Sequence, residues 1–151
     1  EDGIRDRSPS RGLGDVYKRQ PMKRVLLNSK LHRLHVTQVE IDYEGSCALD
    51  TDFMAAAKMT EYEKVEIYNV TNGERFSTYL IAAEAGSKTV SINGAAAHKA
   101  SPEDIIIICS YASMSEDQIS NHAPTLVYFN ESNEIVDTKS SIPTQRLRSL
   151  Q

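Results

Sequence analysis

The sequence predicts a mainly β fold, a closed or nearly closed barrel of short strands with short helices. Two observations carry this. Short apolar stretches rich in β-branched residues recur along the chain, and turn signals separate them about every ten residues: Asn72-Gly73, Gly86-Ser87, Asn93-Gly94, Ser101-Pro102 and Asn130-Glu131-Ser132-Asn133. A third is size, since 151 residues suffice for one domain with a real core but leave no room for a second catalytic domain.

In order along the chain, residues 25–27 and then Leu34, Val36, Val39 and Ile41 read as strands, by β-branching and rough alternation. Thr51 is placed to cap a short helix through residues 52–58, because its hydroxyl can accept an orphan amide. Val65 and Ile67, then Phe76, Thr78 and Leu80, flank Val70-Thr71-Asn72-Gly73-Glu74, and the Asn-Gly pair favours the positive φ of a hairpin turn. Residues 105–110 are uninterruptedly apolar, as in a strand buried on both faces. Residues 126–129 and 134–136 supply two more strands, and residues 137–151, with Pro143 and three basic side chains, read as a mobile tail.

Residues 1–21 differ from the rest: charged residues stand among Gly, Ser and Pro with almost nothing apolar to pack. They are expected to be a non-native or disordered leader outside the fold. They carry five basic and four acidic residues, so from the net −4 of the chain the body from Met22 onward is −4 − 1 = −5. An acidic body argues against a nucleic-acid partner, while leaving room for an anionic substrate held by one or two placed cations. The apolar run 105–109 is too short to span a bilayer. Cys47 and Cys109 show neither disulfide nor zinc spacing, which fits a cytoplasmic protein without a metal. On a regular strand His32 and His35, three apart, fall on opposite faces and make no metal pair.

The chemistry-bearing segment is Tyr43-Glu44-Gly45-Ser46-Cys47-Ala48-Leu49-Asp50. A hydroxyl following a glycine carbonyl can attack it, convert the amide to an ester, and after β-elimination leave a dehydroalanine that hydrolyses to a pyruvoyl group. Taken with Leu26-Leu27-Asn28-Ser29-Lys30-Leu31-His32-Arg33, Asn69 through Tyr79, and Ser91-Ile92-Asn93-Gly94-Ala95-Ala96-Ala97-His98, this segment resembles the pyruvoyl-dependent aspartate 1-decarboxylases from Met22 to about Ile135.

That resemblance implies a six-stranded double-psi β-barrel in residues 22–136, cut between Gly45 and Ser46 into a β chain (22–45) and an α chain (46–151). It implies decarboxylation of L-aspartate to β-alanine for pantothenate synthesis. The covalent pyruvoyl group from Ser46 would form a Schiff base with the substrate amine and replace pyridoxal phosphate as electron sink. By the same resemblance Thr78 assists cleavage and contacts substrate, Arg75 and Lys30 hold carboxylates, and Tyr79 donates the proton at the α-carbon. Asn93, Gly94, Ala95 and Ala96 form the substrate loop. Tyr43, close to the scissile bond, shapes the pocket. A homotetramer with sites near subunit interfaces is implied too, and some relatives mature with an acetyltransferase-like factor. The sequence departs from the common family pattern at Tyr68, where tryptophan is frequent, and at Lys99, where cysteine is. Two rivals stand beside this reading: a pyruvoyl decarboxylase for another amino acid such as glutamate, and a β-barrel binding module that never cleaves. A serine hydrolase lacks its Gly-x-Ser-x-Gly elbow.

Overall fold

The computed structural model describes residues 22–148, so the expectation for residues 1–21 lies outside the described residues. The larger of two compact units comprises Leu26–Ala112 and, from the second half, residues 123–148. Along the chain run β1 (Arg24–His35), β2 (Gln38–Glu40), β3 (Ser46–Asp50), α1 (Thr51–Ala57), β4 (Lys64–Asn69), β5 (Arg75–Ala83), β6 (Val90–Asn93), a 3₁₀ helix (Gly94–Lys99), β7 (Ile105–Met114), α2 (Glu116–Ile119), β8 (Thr125–Phe129) and β9 (Ile135–Lys139).

The described strands form one ladder in the order β2-β6-β3-β5-β4-β7-β1-β8-β9. Three of its pairings are parallel, β1 with β8, β2 with β6 and β3 with β5, and they join strands distant in sequence. The ladder does not close in strand hydrogen bonds, but β1 runs almost directly into β2. Between them the Val36 amide donates to Asp104 O (2.9 Å) and the Thr37 amide to Val90 O (2.8 Å). One stretch of chain thus ties the β8 side of the ladder to the β6 side.

Period-two alternation builds the core. Leu31, Leu34, Val36, Leu49, Ile67, Leu80, Ile92, Ile106, Ile108 and Val127 are all 0% exposed, each such side chain contributing about 1.5–3 kcal/mol. The β4–β5 hairpin forms as predicted, with Gly73 at φ 81°. The buried Asn69 caps its turn, accepting at Oδ1 from the amides of Thr71 (2.9 Å) and Asn72 (3.3 Å). Lys99 closes an ion pair on Glu74 at 2.9 Å.

Three expectations need correction. Helix α1 is capped by Asp50 rather than Thr51: the Asp50 carboxylate accepts from Asp52 N (2.7 Å), and also from Gly86 N (3.2 Å) and Lys88 N (2.8 Å). Strand β7 is longer than residues 105–110 and is only partly covered at Ile105 and Ile107. Strand β9 pairs Lys139 with Leu126, so the ladder continues past the expected boundary at residue 136. Arg33 adopts φ 69° inside β1. Around this irregularity Leu31 and Leu34, three apart, are both in the core, and His32 and His35 are both partly buried.

The second unit includes, of the described residues, 22–25 and Ser113–His122. Its helix α2 begins at Ser115, whose amide donates to Gln118 Oε1 at 2.9 Å, a local capping arrangement.

Candidate active site

The Gly45–Ser46 bond stands at the entry of β3. Ser46 is 0% exposed and pairs across β6 with Asn93, itself 2% exposed. The Ser46 hydroxyl donates to Glu44 O (2.8 Å), and Asn93 Nδ2 donates to Ser46 Oγ (3.1 Å). Ser91, two residues before Asn93 on the same face of β6, donates to Asn93 Oδ1 at 2.7 Å. Opposite Ser91 the register sets Ala48, whose small side chain leaves this polar contact room.

Gly94 presses on the same point. Its φ is 71°, and a Cβ there would lie 2.5 Å from Gly45 Cα and 2.9 Å from Gly45 N. Gly45 has open space around it and no positive φ. The residue that needs glycine's tolerance for unusual backbone geometry is Gly94, not Gly45, and Gly94 starts the 3₁₀ helix where the sequence suggested a simple turn. Ala95 is exposed and Ala96 half-buried on that helix.

A cleft of about 270 Å³ opens beside this cluster, lined by Tyr43, Ala48, Ile81, Ser91 and Asn93 among others. Tyr43 is 58% exposed at its rim. Ser46, on the same face of β3 as Ala48, lies beneath it. One residue before the Cys47–Leu80 pair on each parallel strand come Ser46 and Tyr79, so the β3–β5 register sets these two level. Thr78, half-buried, points to the other side of β5 from Tyr79.

Arg75 is four residues from Tyr79 along β5, roughly 13 Å of strand, and Lys30 lies on β1, separated from β5 in the ladder by β7 and β4. Arg75 lies over the Tyr68 ring, its guanidinium carbon 4.1 Å from the centroid. The Tyr68 and Tyr111 hydroxyls bond at 2.7 Å. Lys30 Nζ is 5.6 Å from the Tyr128 centroid. Neither tyrosine of the Tyr68–Tyr111 pair was singled out from the sequence as a site residue; the departure from tryptophan at position 68 was the available signal.

Burial sets the remaining acid–base character. The enclosed Cys47 thiol is pushed up to about 12. Burial, and then the hydrogen bond to Tyr68, raises the Tyr111 hydroxyl. Cys109 is raised mainly by burial, against the opposing pull of Tyr111, Lys30 and Arg75. Among the described residues no three His, Cys, Asp or Glu side chains gather as a metal group.

Mixed parallel and antiparallel strands, with the buried Ser46 held by Asn93 after an exposed Gly45, sit in a mainly β chain of the double-psi β-barrel class. The chain belongs to the aspartate decarboxylase family, which it matches over residues 22–136. It is 52% identical over 124 residues to the aspartate 1-decarboxylase of Tolumonas auensis, covering 82% of this chain and 98% of that protein. Identity and coverage are the same for that of Alcanivorax borkumensis. The Pseudomonas aeruginosa protein of the same name is 50% identical over the same shares.

Proposed function

We propose that this chain is a pyruvoyl-dependent aspartate 1-decarboxylase, a lyase that converts L-aspartate to β-alanine and carbon dioxide for pantothenate synthesis in the cytoplasm. The observation that carries the reading is the buried Ser46 hydroxyl held between Glu44 O and Asn93 Nδ2 beside Gly45, in a chain of this family.

Maturation uses only atoms of the chain and water. Ser46 Oγ bonds to the Gly45 carbonyl carbon, the Gly45–Ser46 C–N bond breaks, and the hydroxyl proton ends on the freed nitrogen. Loss of the Ser46 α-proton with cleavage of Cβ–Oγ then releases the Gly45 carboxylate, and water replaces nitrogen at the α-carbon, expelling ammonia. A hydrogen-bond donor on Oγ stabilises the charge that gathers there as the carboxylate leaves. The residues present suit the product, since Gly94 keeps the backbone at Gly45 free of side chains and Asn93 stays beside the reacting position.

The pyruvoyl group supplies the electron sink for decarboxylation. Arg75 offers a planar fork for one substrate carboxylate, Lys30 offers a second positive charge, and Thr78 contacts the substrate. Asn93, Gly94, Ala95 and Ala96 bound the substrate site, Tyr43 shapes its mouth, and Tyr79 returns a proton to the α-carbon. With Arg75 roughly 13 Å of strand along β5 from the residue level with Ser46, a neighbouring copy is one source of a cation for the site. This supports a homotetramer with sites between subunits. No described helix is long and apolar enough to cross a membrane, and both cysteines are free thiols, which suits a reducing compartment.

Intact mass after warm incubation tests the reading, on the native sequence beside Ser46→Ala. Two fragments meeting at Gly45/Ser46, the larger lighter than its unmodified sequence by one ammonia and absent from the variant, are expected. An uncut chain with and without an acetyltransferase-like factor would favour a binding module. Assaying aspartate and glutamate side by side decides the substrate, because one methylene is worth only about 1–3 kcal/mol of discrimination. Co-expressing Ser46→Ala with Arg75→Ala tests the shared site: mixed oligomers recover part of the activity only if the two residues act across subunits.

A further inference from the structure

The network around Ser46 has a direction that one proton fixes. A hydroxyl carries a single proton, and Ser46 spends its own on Glu44 O at 2.8 Å. Toward Asn93 it can therefore only accept, which requires the amide nitrogen to face it, at 3.1 Å. The amide oxygen then faces Ser91, 2.7 Å away, and Ser91 must donate. All three side chains are at most 2% exposed, and the partners they find are one another and Glu44 O.

From this we infer that Ser91 is a positioning residue for self-cleavage: its hydroxyl holds the Asn93 amide with the N–H end toward Ser46 Oγ. The inference rests on the reading that Ser46 is the cleavage nucleophile. Nothing in it requires Ser91 to touch the reacting atoms. Without Ser91 the amide can turn over, presenting Oδ1 to Ser46. The hydroxyl is then drawn to donate to Asn93 instead of Glu44 O, and Oγ loses the donor that stabilises it as the Cβ–Oγ bond breaks and the Gly45 carboxylate departs. The fold places the pair for this purpose, because positions 91 and 93 of β6 lie opposite Ala48 and Ser46 of β3.

The test follows cleavage by intact mass over time in the full chain, under conditions where the native sequence matures. Ser91→Ala is expected to slow cleavage roughly tenfold, the equivalent of one hydrogen bond's orienting preference. Ser91→Thr, which keeps the hydroxyl, is expected to cleave within about twofold of the native rate. Ser91→Cys, close in volume with a weak donor, is expected to fall between, and gives a reading if the alanine variant does not fold.

A merely structural role is separated by a double-mutant cycle: in an Asn93→Ala background, Ser91→Ala adds no further slowing if it acts through the amide. Native-like cleavage by Ser91→Ala, or full additivity with Asn93→Ala, overturns the inference. A native sequence that never cleaves, with or without a maturation factor, overturns the nucleophile reading itself, and that result is visible before any Ser91 variant is compared.

Discussion

Replacing Gly94 by alanine adds one methyl group at the most crowded point of the site. The new Cβ would lie 2.5 Å from Gly45 Cα, where ordinary contact begins near 3.4 Å, so one backbone must retreat by 3.4 − 2.5 = 0.9 Å. Both partners are main chain, and neither can rotate away as a flexible side chain would. The left-handed φ of 71° adds about 1–2 kcal/mol for any residue with a Cβ, and overpacking adds about 1–3 kcal/mol. A total loss of roughly 2–5 kcal/mol is expected. The displaced group is the glycine proposed to be cleaved, and a misplacement near 1 Å costs up to about 100-fold in rate.

Thermal melting reads the first effect and time-resolved intact mass the second. Gly73→Ala is the control: φ is also positive, at 81°, but no atom lies within 4 Å of the added Cβ. It should lose only the backbone contribution and cleave normally. If Gly94→Ala cleaves at the native rate while still folded, the close approach of Gly94 to Gly45 has no part in maturation and the reasoning is wrong.

Asp50→Ala removes the acceptor for three amides and is expected to cost about 2–4 kcal/mol, seen as a melting point lower by roughly 5–15 °C; a change of a degree or two would contradict the capping role. Tyr111→Phe frees the Tyr68 ring beneath Arg75 and is expected to raise KM for aspartate about two- to fivefold with kcat unchanged, whereas a fall in kcat alone would show that the pair serves something other than binding. His32 is held below its ordinary 6.5 by burial, then by Lys30 and Arg33. Its contribution to stability is thus full above pH 6.5 and lost as pH falls through the lower folded value. His32→Phe, which keeps the ring against Tyr128, should flatten that acid limb in melts across pH, and an unaltered slope would remove His32 from the account.

What the sequence revealed was local. The β4–β5 hairpin was legible because Asn72-Gly73 determines its own turn, whatever surrounds it. Ser46 stood out as the proposed reacting serine because the chemistry proposed for it depends on the residue before it. Less visible were features that need a partner from elsewhere in the chain. Asp50 as a cap depends on the amides of Gly86 and Lys88, more than thirty residues away. Arg33 in the left-handed region carries no sequence mark, yet it interrupts β1 between two core leucines, Leu31 and Leu34. Ser91 reads as one more strand serine until its hydroxyl is found on Asn93.

The two glycines show why chemistry and geometry have to be read separately. In the proposed maturation Gly45 matters because its carbonyl would be attacked, and that role needs no special backbone conformation: the residue has room for a side chain and no positive φ. Gly94 contributes no reacting atom, yet it meets both conditions that only glycine satisfies, a left-handed φ and main chain within 3 Å of where a Cβ would stand. An alanine at position 45 is therefore a question about carbonyl reactivity, while an alanine at position 94 is a question about where that carbonyl sits. Adjacent backbones answer for each other here, so the tolerance of the proposed cleavage site is set by a residue almost fifty positions downstream of the Gly45–Ser46 bond.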